Sequence, residues 1–287
     1  MGPGPGPVKS RVVAPAPDRG YSFAMDADLN GAAAKPSLAN RLTAALAVIA
    51  GKAADLALPP QCLACRARTA SAGSLCPSCW SRLKLIEKPY CARLGIPFAY
   101  DLGEGALSAE AIAHPPPFDR CRAVAVFDDV ARRLVHGLKY RDQPELAAWM
   151  AGWMARAGGE LIETADVVVP VPLHRRRLWW RRFNQSALLA TAVAARADKP
   201  IAPQAVDRIR ATRQQVGLTP GERDRNVRGA FRVPEAERAA VAGRRVLVVD
   251  DVYTTGATVG AVTRALVRAR AAAVDVLVFA RVVGGEL

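Results

Sequence analysis

Two neighbouring carboxylates, Asp250 and Asp251, follow the apolar run Val246-Leu247-Val248-Val249 and precede Val252-Tyr253-Thr254-Thr255-Gly256-Ala257-Thr258. Adjacent carboxylates can accept hydrogen bonds from a vicinal diol or share a magnesium ion with it. A Thr/Gly turn that opens a helix offers backbone N–H groups and hydroxyls to a phosphate monoester. This order suits a sugar phosphate held at the carboxyl edge of a parallel sheet. Four residues apolar on both faces read as a strand covered by helices on either side. Open α/β sheets bind their ligands outside the carboxyl ends of such strands.

A second set of reactive side chains lies upstream. Cys62-x2-Cys65 and Cys76-x2-Cys79 are ten residues apart. Each CxxC pair forms a knuckle that offers two thiolates, and two knuckles complete a tetrahedron around zinc. Four thiolates leave no open coordination position, so one structural zinc ion is expected on Cys62, Cys65, Cys76 and Cys79. So small a module needs the metal to hold together. Cys91 and Cys121 stand alone; Cys121 reads as a core thiol beside the first strand of the sheet.

The elements that position these groups follow from composition and periodicity. Residues 1–36, rich in Gly, Pro and Ala, read as disordered, with Met25 an alternative initiator. Residues 37–58 read as one helix ending before Pro59-Pro60, and residues 59–118 as the cysteine module, closed by the rigid run Pro115-Pro116-Pro117. From 119 to 287 the pattern alternates. Strands are expected at Arg122–Phe127, Asp166–Val171, Arg244–Val249 and Val274–Ala280. Helices are expected at Val130–Tyr140, Glu145–Ala157, Asn184–Arg196 and Val259–Arg270. Such alternation implies a parallel sheet with helices on both faces. Residues 208–229 read as a polar, Arg-rich loop able to close over a site. Trp149, Trp153, Trp179 and Trp180 read as packing residues.

The chain of 287 residues carries a net charge of +14. Only a handful of its 40 basic residues are lysine, an arginine bias that weakens the total as an argument. Residues 172–232 are different: they hold 14 Lys/Arg against 4 Asp/Glu, so +10 gathers beside the proposed site. That concentration suits pyrophosphate and also a nucleic-acid backbone. No stretch approaches about 18 uninterrupted apolar residues, so no membrane insertion and a cytoplasmic location are expected.

The stretch 246–258 resembles the phosphoribosyl-pyrophosphate (PRPP) signature of the type I phosphoribosyltransferases. Together with the cysteine module it resembles the ComF family, named for a bacterial DNA-uptake (competence) protein. Other segments agree: Val169-Pro170-Val171-Pro172-Leu173-His174-Arg175, Phe183-Asn184-Gln185-Ser186, Thr212-Arg213-Gln214-Gln215, Arg223-x2-Asn226-Val227 and His136-Gly137-Leu138-Lys139-Tyr140. The resemblance implies a type I phosphoribosyltransferase-like fold in which Asp250 and Asp251 hold the ribose hydroxyls. It assigns Thr254, Thr255, Gly256, Ala257 and Thr258 to the 5′-phosphate. Leu173, His174 and Arg175 would meet the pyrophosphate with Mg²⁺, and Arg213 and Gln214 would reach the ligand from the closing loop. The transition state of such a transfer is cation-like at the ribose, so charge placement would carry the catalysis.

The chain departs from the family's pattern in two places. Many members carry a second pair of CxxC motifs; here the third is reduced to Cys91-x2-Leu94, and Ser108 and Ala111 stand where the fourth is expected. A single zinc ion follows. Arg182 also stands where members often have Gly. Two functions are implied: transfer of a phosphoribosyl group from PRPP, or DNA uptake through single-stranded DNA and other DNA-uptake proteins, with PRPP or a nucleotide as regulator and no turnover. A PRPP sensor without turnover is a third. Nothing in the sequence defines an acceptor pocket.

Overall fold

A computed structural model of the chain describes residues 59–140, 144–174, 178–179, 183–210 and 220–284. The expected segments 1–36 and 37–58, and Arg175, Trp180, Arg182, Arg213 and Gln214, lie outside the described residues. Four strands form the main sheet: β1 (Arg120–Val126), β2 (Val167–Pro170), β5 (Arg245–Tyr253) and β6 (Ala273–Arg281). Their order is β1-β6-β5-β2 and every pairing is parallel. A two-residue pair, β3 (Asp207–Arg208) with β4 (Phe231–Arg232), is antiparallel. The helices are α1 (Pro77–Arg82), α2 (Ala109–Ala113), α3 (Asp129–Tyr140), α4 (Pro144–Ala157), α5 (Gly159–Thr164), α6 (Gln185–Arg196), α7 (Pro220–Val227), α8 (Arg238–Val241) and α9 (Ala257–Arg268).

Strand alternation sorts the core into two layers. Leu247, Val249, Leu277 and Phe279 pack with α3, α4 and α6, through Leu134, Leu138, Met150, Met154, Leu189 and Val193. Val246, Val248, Val276 and Val278 pack on the other face against Val259, Val262 and Leu266 of α9. This is the expected α/β class, helices covering both faces of a parallel sheet. Both outer strands are also flanked. Ile86 N donates to Val124 O and Val126 N to Lys84 O along β1, while Val168 N donates to Pro200 O along β2.

The cysteine module is a repeat of two lobes. In the first, Cys62 N donates to Ala67 O, Arg66 N to Cys62 O, and Cys76 N to Cys62 Sγ at 3.3 Å. The second lobe repeats each bond: Cys91 N donates to Ile96 O, Gly95 N to Cys91 O, and Ser108 N to Cys91 Sγ at 3.2 Å. The helix after each lobe starts at the matching place. Cys76 caps α1; Ser108 caps α2, its Oγ accepting from Ala111 N at 3.3 Å. Apolar burial holds the second lobe where thiolates hold the first: Cys91, Leu94 and Ala111 are almost fully buried. This lobe presses on the sheet, since Cys121 N donates to Arg93 O at 2.7 Å. Gly95 must be glycine there, at φ +63 with an added Cβ only 2.5 Å from Cys121 O. The first lobe meets the opposite layer, where Trp80 packs at a tilt on Trp153, ring centres 5.2 Å apart, and Trp153 on Trp149 at 6.2 Å.

The fold corrects several expectations. β5 does not stop at Val249 but runs on through both acids to Tyr253, because its pairing with β6 continues to Tyr253–Arg281. Helix α9 starts two residues earlier than periodicity placed it, at Ala257, because Gly256 makes the left-handed turn that opens it. The region 208–229 is not all loop: it begins at the last residue of β3 and holds α7, elements too short for a hydrophobic period to show. Trp179 does not pack; it is 84% exposed.

Candidate functional site

The parallel order brings the carboxyl ends of β2 and β5 side by side, so the turn after β2 and the turn after β5 face one crevice edge. Adjacent residues of a strand point to opposite faces, and Asp250 and Asp251 accordingly meet different partners. Asp250 Oδ1 accepts from Ser186 Oγ at 2.7 Å and from Asp251 N at 2.9 Å. Asp251 Oδ2 lies 2.8 Å from Lys139 Nζ at the end of α3. That contact is close but poorly aligned, so Oδ2 gains an ion-pair neighbour without a hydrogen bond. Burial pushes the Asp250 carboxyl up to about 7, the charge of Asp251 adds to the rise, and Ser186 and the Asp251 N–H oppose it.

Ser186 is positioned by the start of α6. Asn184 caps this helix through Oδ1, which accepts from Ser186 N at 3.1 Å, and its Nδ2 donates to Val171 O at 3.0 Å. One side chain thus fastens the helix to the turn after β2, where Leu173 and His174 sit half-buried. The sequence reading gave Ser186 and Asn184 no role. Their presence in the quoted Phe183–Ser186 segment was the signal available.

The turn after β5 has the character of an anion cradle. Gly256 lies at φ +74 and gives α9 no side-chain cap, so the first N–H groups of the helix lack a protein side-chain acceptor at the cap. Thr255 Oγ1 is buried with no hydrogen-bond partner among the described residues. A buried hydroxyl without a partner costs free energy that a bound acceptor would recover. Thr254 and Thr258 flank it, half-buried, and Ala257 is buried. Tyr253 backs this turn: an added Cβ at Gly256 would fall 2.3 Å from its hydroxyl. Tyr253 is held in turn by Phe118, edge-on at 6.2 Å, and by the buried Arg281, whose guanidinium lies 4.9 Å from the ring centre. Arg281 Nη1 also donates to Leu94 O, so the second lobe of the cysteine module reaches the residue behind the cradle.

The sulfur atoms of Cys62, Cys65, Cys76 and Cys79 all lie within 4.8 Å of one another. Zinc–sulfur bonds of about 2.3 Å require tetrahedral S···S separations of this order. Burial raises the Cys62 thiol, but N–H groups of Cys65, Cys76 and Ala64 outweigh it and bring Cys62 down to about 6. Cys79 goes the other way, to about 12, through burial and then its three sulfur neighbours. Four thiols so close cannot all ionise without a cation among them. The donor set therefore fits a structural zinc ion. Among the described residues it is the one such cluster.

Residues 53–113 match the double zinc ribbon domain, and residues 184–286 match the phosphoribosyl transferase domain. The chain is 33% identical over 229 residues to the DNA utilization protein YhgH of Escherichia coli strain K12, covering 77% of this chain and 96% of that protein. The same-named protein of Salmonella typhimurium is 34% identical over 228 residues, with the same coverage. The chain belongs to the ComF family. Competence protein F of Haemophilus influenzae is a more distant member, 26% identical over 212 residues that cover 72% of this chain and 90% of that protein. Within this family's double ribbon, the chain keeps both lobes as shapes and one four-cysteine cluster among the described residues. No helix among the described residues is long and apolar enough to cross a membrane.

Proposed function

We propose that this chain binds PRPP at the carboxyl edge of β5 and acts as a phosphoribosyltransferase-like protein of the cytoplasm. The observation that carries this reading is the buried, partnerless hydroxyl of Thr255 beneath the uncapped start of α9, one turn beyond the paired acids. A 5′-phosphate supplies the acceptors that this hydroxyl and the helix N–H groups need. Asp250 and Asp251 accept hydrogen bonds from the two ribose hydroxyls. Leu173 and His174 present the turn after β2 to the pyrophosphate, with Arg175 following them in the chain. A magnesium ion, when bound, neutralises part of the leaving pyrophosphate's charge. Lys139 sets a positive charge 2.8 Å from Asp251, so charge placement in the crevice is arranged before the ribose becomes cation-like in the transition state.

The test is calorimetric titration with PRPP and Mg²⁺. A saturable one-site heat that disappears in Asp250→Asn/Asp251→Asn is the expected result; an unchanged affinity in that variant removes the pocket assignment. Release of pyrophosphate against a panel of bases and amines then separates transfer from sensing.

A second reading, a DNA-handling factor with PRPP as regulator, is favoured by Trp179. Its ring is 84% exposed in a segment where Arg175, Arg176, Arg177, Arg181 and Arg182 are near in sequence. Exposed aromatics among cations are how single strands are stacked and steered. The names of the bacterial relatives point the same way. Retardation of a single-stranded oligonucleotide that weakens with rising salt and is lost in Trp179→Ala supports this reading; a salt-independent or absent shift removes it.

A further inference from the structure

A concave site of about 300 Å³ lies on the far part of α9, lined by Arg228, Gly229, Phe231, Ala261, Arg264 and Arg268. It is not the proposed PRPP site. At about 1.5 Å per residue, Arg264 and Arg268 sit on the order of 10 and 17 Å along the helix from the Ala257 end. Three arginines from two parts of the chain line this one hollow. Arg264 and Arg268 are four residues apart on α9, on the same face, where like charges repel. Arg228 joins them from the turn that links α7 to β4. No carboxylate is paired with any of the three among the described residues, although other exposed arginines, such as Arg133 with Asp129 and Arg238 with Glu235, have found one. The other lining residues are Gly229, Ala261 and the buried Phe231, none of them charged.

The three arginines are exposed, so solvent screens their mutual repulsion, but each keeps its donors free to converge on one guest. An anion with several oxygens can be bound by more than one guanidinium fork at once. We infer that the Arg228–Arg264–Arg268 hollow is a second anion site, distinct from the strand-end crevice, that takes a phosphate group. Guanidinium geometry matches phosphate oxygens bidentately, and a hollow of this volume accepts a phosphate with the sugar it is attached to. The phosphate could be that of a free nucleotide or of a nucleic-acid backbone. The site's position gives it a consequence: a ligand there ties α9, whose first turn forms the phosphate cradle, to the turn after α7.

The experiment uses the full chain and two probes, ADP and a fifteen-residue oligothymidylate, each titrated in the presence of saturating PRPP and Mg²⁺ so that the strand-end crevice is filled. The variants are Arg264→Ala/Arg268→Ala, the charge-keeping Arg264→Lys/Arg268→Lys, and Arg228→Gln, which lies off the helix. Arg244→Ala, an exposed arginine outside the hollow, is the control for surface charge. The expected result is at least tenfold weaker binding of one or both probes in the double Ala variant and a loss in the same direction in Arg228→Gln. The Lys pair should recover part of it, and Arg244→Ala should bind as the wild type does. Loss of ADP binding assigns the site to free nucleotides; loss of oligonucleotide binding alone assigns it to backbone phosphate. Equal binding across all variants, or an equal loss in Arg244→Ala, overturns the inference. If PRPP fails to bind at all, the same titrations still decide this site, because its residues lie outside the crevice.

Discussion

Lys139 Nζ lies 2.8 Å from Asp251 Oδ2, so the end of α3 supplies the counter-charge for an acid on β5. Both side chains are largely withdrawn from solvent. The pair joins two elements more than a hundred residues apart in sequence. Removing one partner leaves the other charge without compensation. Lys139→Met is therefore expected to destabilise the chain by about 1–3 kcal/mol, with less loss when Asp251→Asn is added. Urea unfolding of the two single variants and the double variant measures the coupling.

The hydroxyl of Thr255 gives a test that separates binding from folding. Thr255→Val keeps the shape and removes a buried polar atom that has no partner. Stability should be unchanged or slightly higher, while PRPP affinity falls about tenfold, the worth of one hydrogen bond to a charged acceptor. Calorimetry and thermal melting on the same samples check both parts.

Gly256→Ala should fail in both respects. Its backbone is left-handed and an added Cβ would strike the Tyr253 hydroxyl and ring. A loss of at least 2 kcal/mol is expected from clash and conformation together, with PRPP binding abolished. Tyr253→Leu in the same background should restore stability in part, read from melting temperatures.

Asp250 sets a pH dependence with a definite sign. Its carboxyl is raised by burial and by the charge of Asp251 to about 7 in the fold, against the ordinary value near 4 in an unfolded chain. The fold therefore holds this proton more tightly than the unfolded chain does. The contribution is fully present below about pH 4 and is lost as pH rises through about 7. Melting temperatures of ligand-free protein should fall across that window by more than in Asp250→Asn, in which the carboxyl is gone. Parallel curves for the two proteins would contradict the burial of an ionisable group there.

Metal analysis should find about one zinc per chain, lost in Cys62→Ser/Cys65→Ser. The second lobe predicts the number: Leu94 and Ala111 take places where ligands would stand, and Cys91 already accepts two N–H bonds at its sulfur. A value near two per chain would contradict the apolar reading of that lobe.

Much of this was legible in the chain. Val246–Val249 announced a covered strand, since four apolar residues in a row suit a sheet with two buried faces. The CxxC spacing announced the cluster because the ligands are local in sequence. What escaped notice depends on contacts across the fold. Ser186 is 64 residues from Asp250, and nothing in its own neighbourhood says that its hydroxyl will reach a carboxylate. Lys139 gave no sign of its role because its partner, Asp251, lies more than a hundred residues away on β5. The continuation of β5 through two acids was hidden because Asp is a poor strand former; pairing with β6 overrides that preference. Trp179 misled in the other direction, because an indole is more often covered than not.

The strip from Lys84 to Ile86 lies along the outer side of β1. Trimming the chain to its catalytic-looking half would strip that cover and leave a row of bare amide groups ready to recruit a stranger's strand. The cysteine module is thus a guard against self-association as much as an appendage, and a truncated product should clump even if its pocket is intact.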